Sequence, residues 1–335
     1  MKKFLNDAAN FVDETVEGII AAYGDKIQLL NGDRRVIITN YPRKEGKVGI
    51  VTAGGSGHLP LFLGYVGQGM VDACAVGNVF ASPAYSKMLD AIKFADQGAG
   101  VLCLYGNYGG DKMNFNQAIE DAEFEDIRCT SVLGCDDVAS APKGEETKRR
   151  GVAGIVYAYK CAGAAAELGK NLDEVTEIAQ KVVNNVRTMG VATSPCIAPE
   201  VGVPTFSILD DEVEIGMGIH GEKGISIQKM MRADELTDLL VDKILEDMPL
   251  TKGDEVSVLI NGLGATPLEE QFIIYRRVAQ RLNELEVTIY KPHIGEFATS
   301  MEMSGFSVSI LKLDEEIKTL LDYPAQTPFY TVFNK

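Results

Sequence analysis

The stretch KVGIVTAGGSGHLP, residues 47–60, decides how the chain is read. A run of apolar and β-branched residues, the pattern of a buried strand, gives way to glycines, a serine and a histidine. A structural turn needs one or two glycines and no ring nitrogen. In parallel α/β sheets, ligands bind at the carboxyl ends of the strands. Glycines there let backbone N–H groups approach a ligand closely. Pro60 suits the first turn of a following helix, which would make the loop amides helix N-terminal donors. Taken alone, the stretch reads equally well as a tight turn with an incidental histidine.

Outward from this loop, strands and helices alternate. Asn6 is placed to cap a first helix running to about Tyr23, with Val12, Val16, Ile19, Ile20 and Tyr23 on one face. RVIIT reads as a short buried strand, as do GVLCLYG at 100–106 and IRCTSVLG at 127–134. SPAYSKMLDAIKFAD fits a helix between strands, and the alternation is that of a parallel α/β sheet. A helix rich in alanine and glycine is expected from Arg150 to Leu168, ended by Gly169. An amphipathic helix is expected over NLDEVTEIAQKVVNNVRTMG, with its stripe running from Leu172 through Val182 and Val186 to Met189 and its stop at Gly190. Pro195, Pro199, Gly202 and Pro204 then crowd a short stretch that suggests a boundary. The later strand candidates are EVEIGMGIHGEKG, DEVSVLINGLGATP, EVTIYK and GFSVSILKL. The expected architecture is two α/β domains, 1–188 and 189–335, each a mostly parallel or mixed sheet flanked by helices.

Composition bounds the function. The chain has 335 residues, 46% of them hydrophobic and 24% charged, as in a globular protein with a filled core. Its formal net charge of −16 argues against direct contact with nucleic acid or an anionic membrane, which would repel it. The six cysteines form no CxxC pair, so neither a zinc nor a redox motif is indicated. The N-terminus turns acidic before a signal-peptide apolar core, and no apolar run reaches membrane-spanning length, so the cytoplasm is the expected compartment.

Only three histidines are present: His58, His220 and His293. His58 and His220 both sit in glycine-rich turns after strand-like runs, and together they favour a site, because histidine is scarce here and titrates near neutrality. Asp111, in LYGNYGGDKMNF, could accept a proton from a substrate hydroxyl, although alone it reads as a helix cap. Asn261 and Thr266, in INGLGATPLEEQ, fit either an orienting or a purely structural turn. His293 has no glycine cradle and reads as structural or surface, and KGEETKRRG reads as solvated surface. There is no P-loop, no GxGxxG, no HExxH and no acidic cluster with Mg²⁺ spacing. The residues outline a small-molecule site built from His58, Asp111 and His220, with no metal site and nothing that grips a nucleotide.

In chain order, GGSGH, NYGGDKMNF, RRGVAG, IGMGIHGEKG, NGLGATPLEE and TSMEMSGFSVSILKLD resemble the substrate-binding subunit of dihydroxyacetone kinase, over essentially the whole chain. The resemblance implies that His220 attacks the ketone of dihydroxyacetone and holds it as a hemiaminal, a bond that glycerol cannot form because it has no carbonyl. It implies that Gly55, Ser56, Gly57 and His58 surround the ligand's hydroxyls. It makes His58 and Asp111 acid–base residues near the hydroxyl that is phosphorylated. In the family's multi-subunit version a separate helical subunit carries ADP and magnesium and is recharged through the phosphoenolpyruvate-dependent phosphotransferase system. This chain, ending at Lys335 and carrying no cofactor of its own, reads as the stand-alone subunit, a homodimer.

Four positions depart from the family pattern: Leu59 replaces a glutamate, Asn78 a glutamate, Gly106 a substrate-touching lysine, and Lys223 a proline. They point to two alternatives. One is another short ketose such as erythrulose. The other is a kinase-inactive sensor that co-activates transcription through a DNA-binding partner.

Overall fold

The computed structural model describes residues 2–333. The chain divides into two compact units. Unit 1 comprises Met1–Gly134, Val156–Val182 and Glu316–Lys335, and unit 2 comprises Cys135–Ile155 and Val183–Glu315. The division expected from the sequence is a single cut after residue 188. The observed division is discontinuous because the helices Ile155–Glu167 and Leu172–Asn184 return to the first sheet before the strand Val186–Ser194 opens the second. The proline-rich stretch 195–204 lies inside unit 2, between the strands Val186–Ser194 and Glu212–Ile215.

Unit 1 begins with α1 (Phe11–Tyr23). Asn6 does not cap it. A short turn over Ala8–Asn10 precedes the helix, Asp7 accepts from the Ala9 N–H at 3.0 Å, and Asn6 donates to Glu14 at 2.8 Å. The sheet of unit 1 contains β1 (Ile27–Leu30), β2 (Asp33–Thr39), β3 (Gly49–Ser56), β4 (Ala73–Val79), β5 (Val101–Gly106) and β6 (Cys129–Gly134). Its order is β1-β2-β4-β3-β5-β6, with β4, β3, β5 and β6 parallel and β1 and β2 antiparallel on one edge. Helices α2 (Tyr85–Ala95) and α3 (Gly109–Glu123) bury Met88, Ala91, Ile92, Phe115 and Ala118 against Val51, Ala53, Ala75 and Cys103 of the strands. The alternate strand residues, Ile50, Thr52, Cys74 and Leu102, are buried as well, so these strands read as continuous apolar runs. Helix α4 (Ile155–Glu167) covers that opposite face, with the Tyr159 hydroxyl 2.8 Å from Thr52 Oγ1. The expected helix from Arg150 starts late because Asp136 accepts the N–H groups of Val152 and Gly154 at 2.9 and 2.8 Å, which fixes that segment in a non-helical path. Gly169 adopts φ +80° and ends the helix as anticipated.

Helix α5 (Leu172–Asn184) is shorter than expected. Residues 186–194 form β7 (Val186–Ser194), because each of Val186 through Val191 pairs with a residue of the strand Ser304–Lys312. Their spacing fits a helical stripe, yet long-range pairing overrides it. Unit 2 continues with β8 (Glu212–Ile215), β9 (Ser226–Lys229), α6 (Ala233–Asp247), β10 (Glu255–Gly262), α7 (Leu268–Glu284), β11 (Thr288–Glu296) and β12 (Ser304–Lys312). The sheet order is β11-β10-β12-β7-β8-β9, parallel only between β10 and β11. Leu236, Leu240, Val241 and Ile244 of α6 and Ile274, Val278 and Leu282 of α7 bury their stripes on Val213, Val258, Ile260 and Val308. The chain ends with α8 (Glu315–Asp322) and the small pair β13 (Ala325–Gln326) and β14 (Thr331–Val332). Both units are thus α/β, as anticipated. Among the described residues, no helix is long and apolar enough to cross a membrane.

Candidate active site

The chain order of unit 1 makes a switch point. From β3 the chain moves to β4 on one side, then crosses to β5 and β6 on the other. Such a reversal leaves a crevice at the strands' carboxyl ends. Registered pairs between β3 and β5 run from Gly49↔Val101 to Val51↔Cys103, whereas β3 stays paired with β4 as far as Ser56↔Val79. His58 follows the end of β3. Asp111 lies in the first turn of α3, just after β5 ends at the buried Gly106. The topology therefore sets these two sequence-predicted residues at neighbouring strand ends.

His58 is 1% exposed and lies between two aromatic rings, Phe80 at 5.0 Å and Phe62 at 6.1 Å between centroids. Both phenylalanines adopt positive φ, +57° and +68°, a conformation that costs a non-glycine residue energy and tends to persist at functional positions. Nothing in the sequence marked either ring. The glycines behave differently from expectation. A Cβ on Gly54 would lie 2.1 Å from the Phe62 ring, and one on Gly55 would lie 2.7 Å from the Ala81 nitrogen. Their emptiness admits the protein's own neighbours. Gly57, at φ +100°, is the loop glycine that needs a left-handed backbone. Ser56 donates to the Gly77 carbonyl at 2.8 Å. Pro60 opens no α-helix. The chain turns through 59–62 into a single short turn over Leu63–Tyr65, so the loop amides are not helix N-terminal donors.

Asp111 is 7% exposed and is not the helix cap, a position taken by Tyr108. Its charge reaches the neighbouring core. Burial pushes the Tyr105 phenol up to about 12, and the nearby Cys103 and Asp111 add to the rise against a hydrogen bond with Ser131.

His220 belongs to unit 2. It does not follow a parallel strand as His58 does. It lies on the loop joining the antiparallel strands β8 and β9. That loop is tightly bonded: Gly218 N–H donates to Glu222 O at 3.1 Å, Gly221 N–H to Gly218 O at 3.1 Å, and Gly224 N–H to Glu214 Oε1 at 2.7 Å. Gly221 has φ +81°, and a Cβ there would meet Thr205 at 2.7 Å. The His220 side chain is 22% exposed. Its Nδ1 lies 2.9 Å from Glu222 Oε1, and its backbone N–H donates to Glu222 Oε2 at 2.9 Å. Burial pushes the Glu222 carboxyl up, but the hydrogen bond to His220 and the electrostatic pull of that ring and of Arg150 outweigh it and hold the group at about 2.

Arg149 and Arg150 are not the solvated surface expected of KGEETKRRG. Arg149 is 1% exposed, and its guanidinium grips Asp247 at 2.9 and 2.6 Å. Arg150 donates to Asp137 at 2.8 Å and to the Gly216 carbonyl at 2.9 Å, with Glu222 at 3.9 Å. Burial raises the Asp137 carboxyl to about 6 despite the Arg150 charge. Asn261 and Thr266 are structural staples. Asn261 bonds Ala298 and Ser307, and Thr266 both donates to and accepts from Gly305. His293 is half-buried in β11 beside Ser257 and Phe297, and burial lowers it to about 4, with the Lys291 charge adding. Among the described residues, no group of three or more His, Cys, Asp or Glu is placed to hold a metal ion.

The family model of the Dak1 domain matches residues 17–329. The chain belongs to the Dak1 domain family. Dak1 relatives match it along its length. The dihydroxyacetone-binding subunit of PTS-dependent dihydroxyacetone kinase 2 of Listeria innocua is 44% identical, with 99% of this chain and 100% of the relative covered. The L-erythrulose kinase of Pectobacterium atrosepticum is 40% identical over 98% of this chain, which spans 56% of that relative. The solved structure of a dihydroxyacetone kinase operon co-activator superposes with a TM-score of 0.89 at 29% identity, covering 98% of this chain and 99% of that one.

Proposed function

We propose that this chain is the dihydroxyacetone-binding subunit of a dihydroxyacetone kinase, a phosphotransferase split between subunits. The observation that carries the reading is His220: a part-exposed imidazole on a glycine-rich hairpin loop, within a chain 44% identical end to end to a subunit of that name. The neutral ring attacks the ketone carbon through a nitrogen lone pair. A C–N bond forms, the carbonyl π pair moves onto oxygen, and that oxygen takes up a proton as the ring gives one up. The ketose is then held by a bond that a triol cannot make.

His58 and Asp111 are the acid–base residues for the hydroxyl that receives the phosphoryl group, with Gly55, Ser56, Gly57 and Gly106 lining the substrate loops. Phosphoryl transfer depends mainly on positioning and charge stabilisation, so the donor can reside on another protein. That partner is a helical subunit carrying ADP and Mg²⁺, recharged from phosphoenolpyruvate through the phosphotransferase system. The subunit works in the cytoplasm as a homodimer.

Native mass spectrometry with dihydroxyacetone tests the capture step. The expected result is one added ketose per chain, absent in His220→Ala. Reconstitution with the ADP-carrying partner and a phosphoryl donor then yields the ketose phosphate. Adduct formation without turnover rejects the kinase reading.

A second reading, a ketose sensor that co-activates transcription, draws on the co-activator's superposition over 98% of the chain. The same reconstitution separates the two, since a sensor binds a DNA-binding regulator and gives no phosphorylated product. Parallel mass spectra with erythrulose decide between short ketoses.

A further inference from the structure

A carboxylate and a guanidinium stand behind His220 in an arrangement that the capture step does not by itself require. Glu222 meets the same residue twice: its Oε1 lies 2.9 Å from the ring Nδ1, and its Oε2 accepts from the backbone N–H at 2.9 Å. The carboxylate therefore ties the orientation of the imidazole to the backbone that carries it. Arg150 lies beyond, 3.9 Å from Glu222 Oε2, and is itself fixed by Asp137 and the Gly216 carbonyl. Gly218 creates the room for this. A Cβ on Gly218 would lie 2.1 Å from Glu222 Oε2 and 2.5 Å from an Arg150 guanidinium nitrogen. A glycine at φ outside the left-handed region is thus needed here for space, and the space is filled by one ion pair.

We infer that Glu222 is the positioning residue of His220, anchored by Arg150 and accommodated by Gly218. It holds the ring as the tautomer that keeps its proton on Nδ1 and presents the Nε2 lone pair for reaction. A histidine's two nitrogens are distinguished by the hydrogen bond that one of them makes, and here the carboxylate makes it. When Nε2 forms a bond to carbon, positive charge develops on the ring, and the ionised Glu222 lies against it. An amide at 222 cannot replace the carboxylate. It has one acceptor oxygen, whereas the ring and the backbone N–H both need one.

The inference rests on His220 being the ketose-capturing residue, and the experiment keeps the two apart. The tautomer is read first, without any ketose, from ¹⁵N chemical shifts of the histidines in the full chain, with His220 assigned by its loss in His220→Ala. The expected result is an Nδ1–H ring in the wild type and a mixed or Nε2–H ring in Glu222→Gln. The adduct is then titrated with dihydroxyacetone. Glu222→Gln is expected to weaken it on the order of tenfold or more, as loss of an orienting partner does at other sites. Gly218→Ala, which keeps Glu222 but displaces it, is expected to act in the same direction.

Wild-type adduct matched by Glu222→Gln with an unchanged tautomer overturns the inference. No adduct in the wild type overturns the capture reading, while the ¹⁵N shifts still decide whether Glu222 sets the ring. If Glu222→Gln fails to fold, Arg150→Lys, which cannot bridge Asp137, Gly216 and Glu222 at once, decides by the same shifts.

Discussion

Replacing Asp247 by asparagine tests how the segment bearing Arg150 is held. Asp247, at the end of α6, accepts from Arg149 at 2.9 and 2.6 Å and from Arg187. Burial pushes its carboxyl up, yet the hydrogen bonds and charges of the two guanidinium groups prevail and hold it at about 2, against 3.8 for an ordinary aspartate. A folded-state value below the unfolded one stabilises the fold above the unfolded value. That stability is lost as pH falls through the folded value, here between about pH 4 and pH 2. The shift corresponds to about 2.5 kcal/mol, and to about 1–2 kcal/mol after solvent screening. Asp247→Asn also leaves the charge of the buried Arg149 uncompensated, and breaking such a pair costs about 3–5 kcal/mol. Urea unfolding at neutral pH, followed by circular dichroism, is expected to show a loss of about 3 kcal/mol. The gap to wild type is expected to narrow by about 1–2 kcal/mol as the pH approaches 2. A loss under about 1 kcal/mol at pH 7, or a gap that ignores pH, refutes the view that this pair is buried and ionised.

Other predictions follow from neighbouring contacts. Asp136→Ala strands the N–H groups of Val152 and Gly154, at about 1–3 kcal/mol each, so thermal unfolding is expected to shift down steeply. A small shift would mean that water replaces the carboxylate. Burial lowers His293 to about 4 from 6.5, so the fold has its full stability above pH 6.5 and loses about 2–3 kcal/mol as pH falls to 4. The difference in denaturant midpoint between wild type and His293→Gln is expected to change by that amount over the window, and a difference that ignores pH would assign the slope to other groups. Gly54→Ala drives a methyl into the Phe62 ring and is expected to cost about 1–3 kcal/mol. Phosphorylation by the reconstituted kinase should fall with it, because Phe62 packs on His58. An unaffected rate would detach the aromatic pair from the site.

The sequence made much of unit 1 legible because its central strands are short, apolar and punctuated by glycine at their carboxyl ends. The same punctuation marked His58 and His220. It could not mark Phe62 and Phe80, whose part depends on positive-φ backbone that no residue type announces. Nor did it reveal Arg149 and Arg150. Among the charges of KGEETKRRG they look solvated, and only the fold supplies Asp247, Asp137 and Glu222 to receive them. Val186 and Met189 extended a helical stripe on paper, and only the pairing with β12 turned them into a strand. Glu222 does carry a local signal: a carboxylate two positions after a histidine, inside a run of glycines, can fold back on that histidine's own backbone.

The path of the chain between the units constrains what can be made from the gene. Unit 1 is assembled from three separate segments, the last beginning at Glu316, and unit 2 from two. A fragment ending at residue 188 therefore encodes neither half: it lacks α8 and begins a β-strand whose partners are missing. The third segment of unit 1 follows all of unit 2 along the chain, so unit 1 is completed only after unit 2 has been made, although its sheet emerges first. Isolating either half for study calls for rejoined segments, and a simple truncation will not yield one.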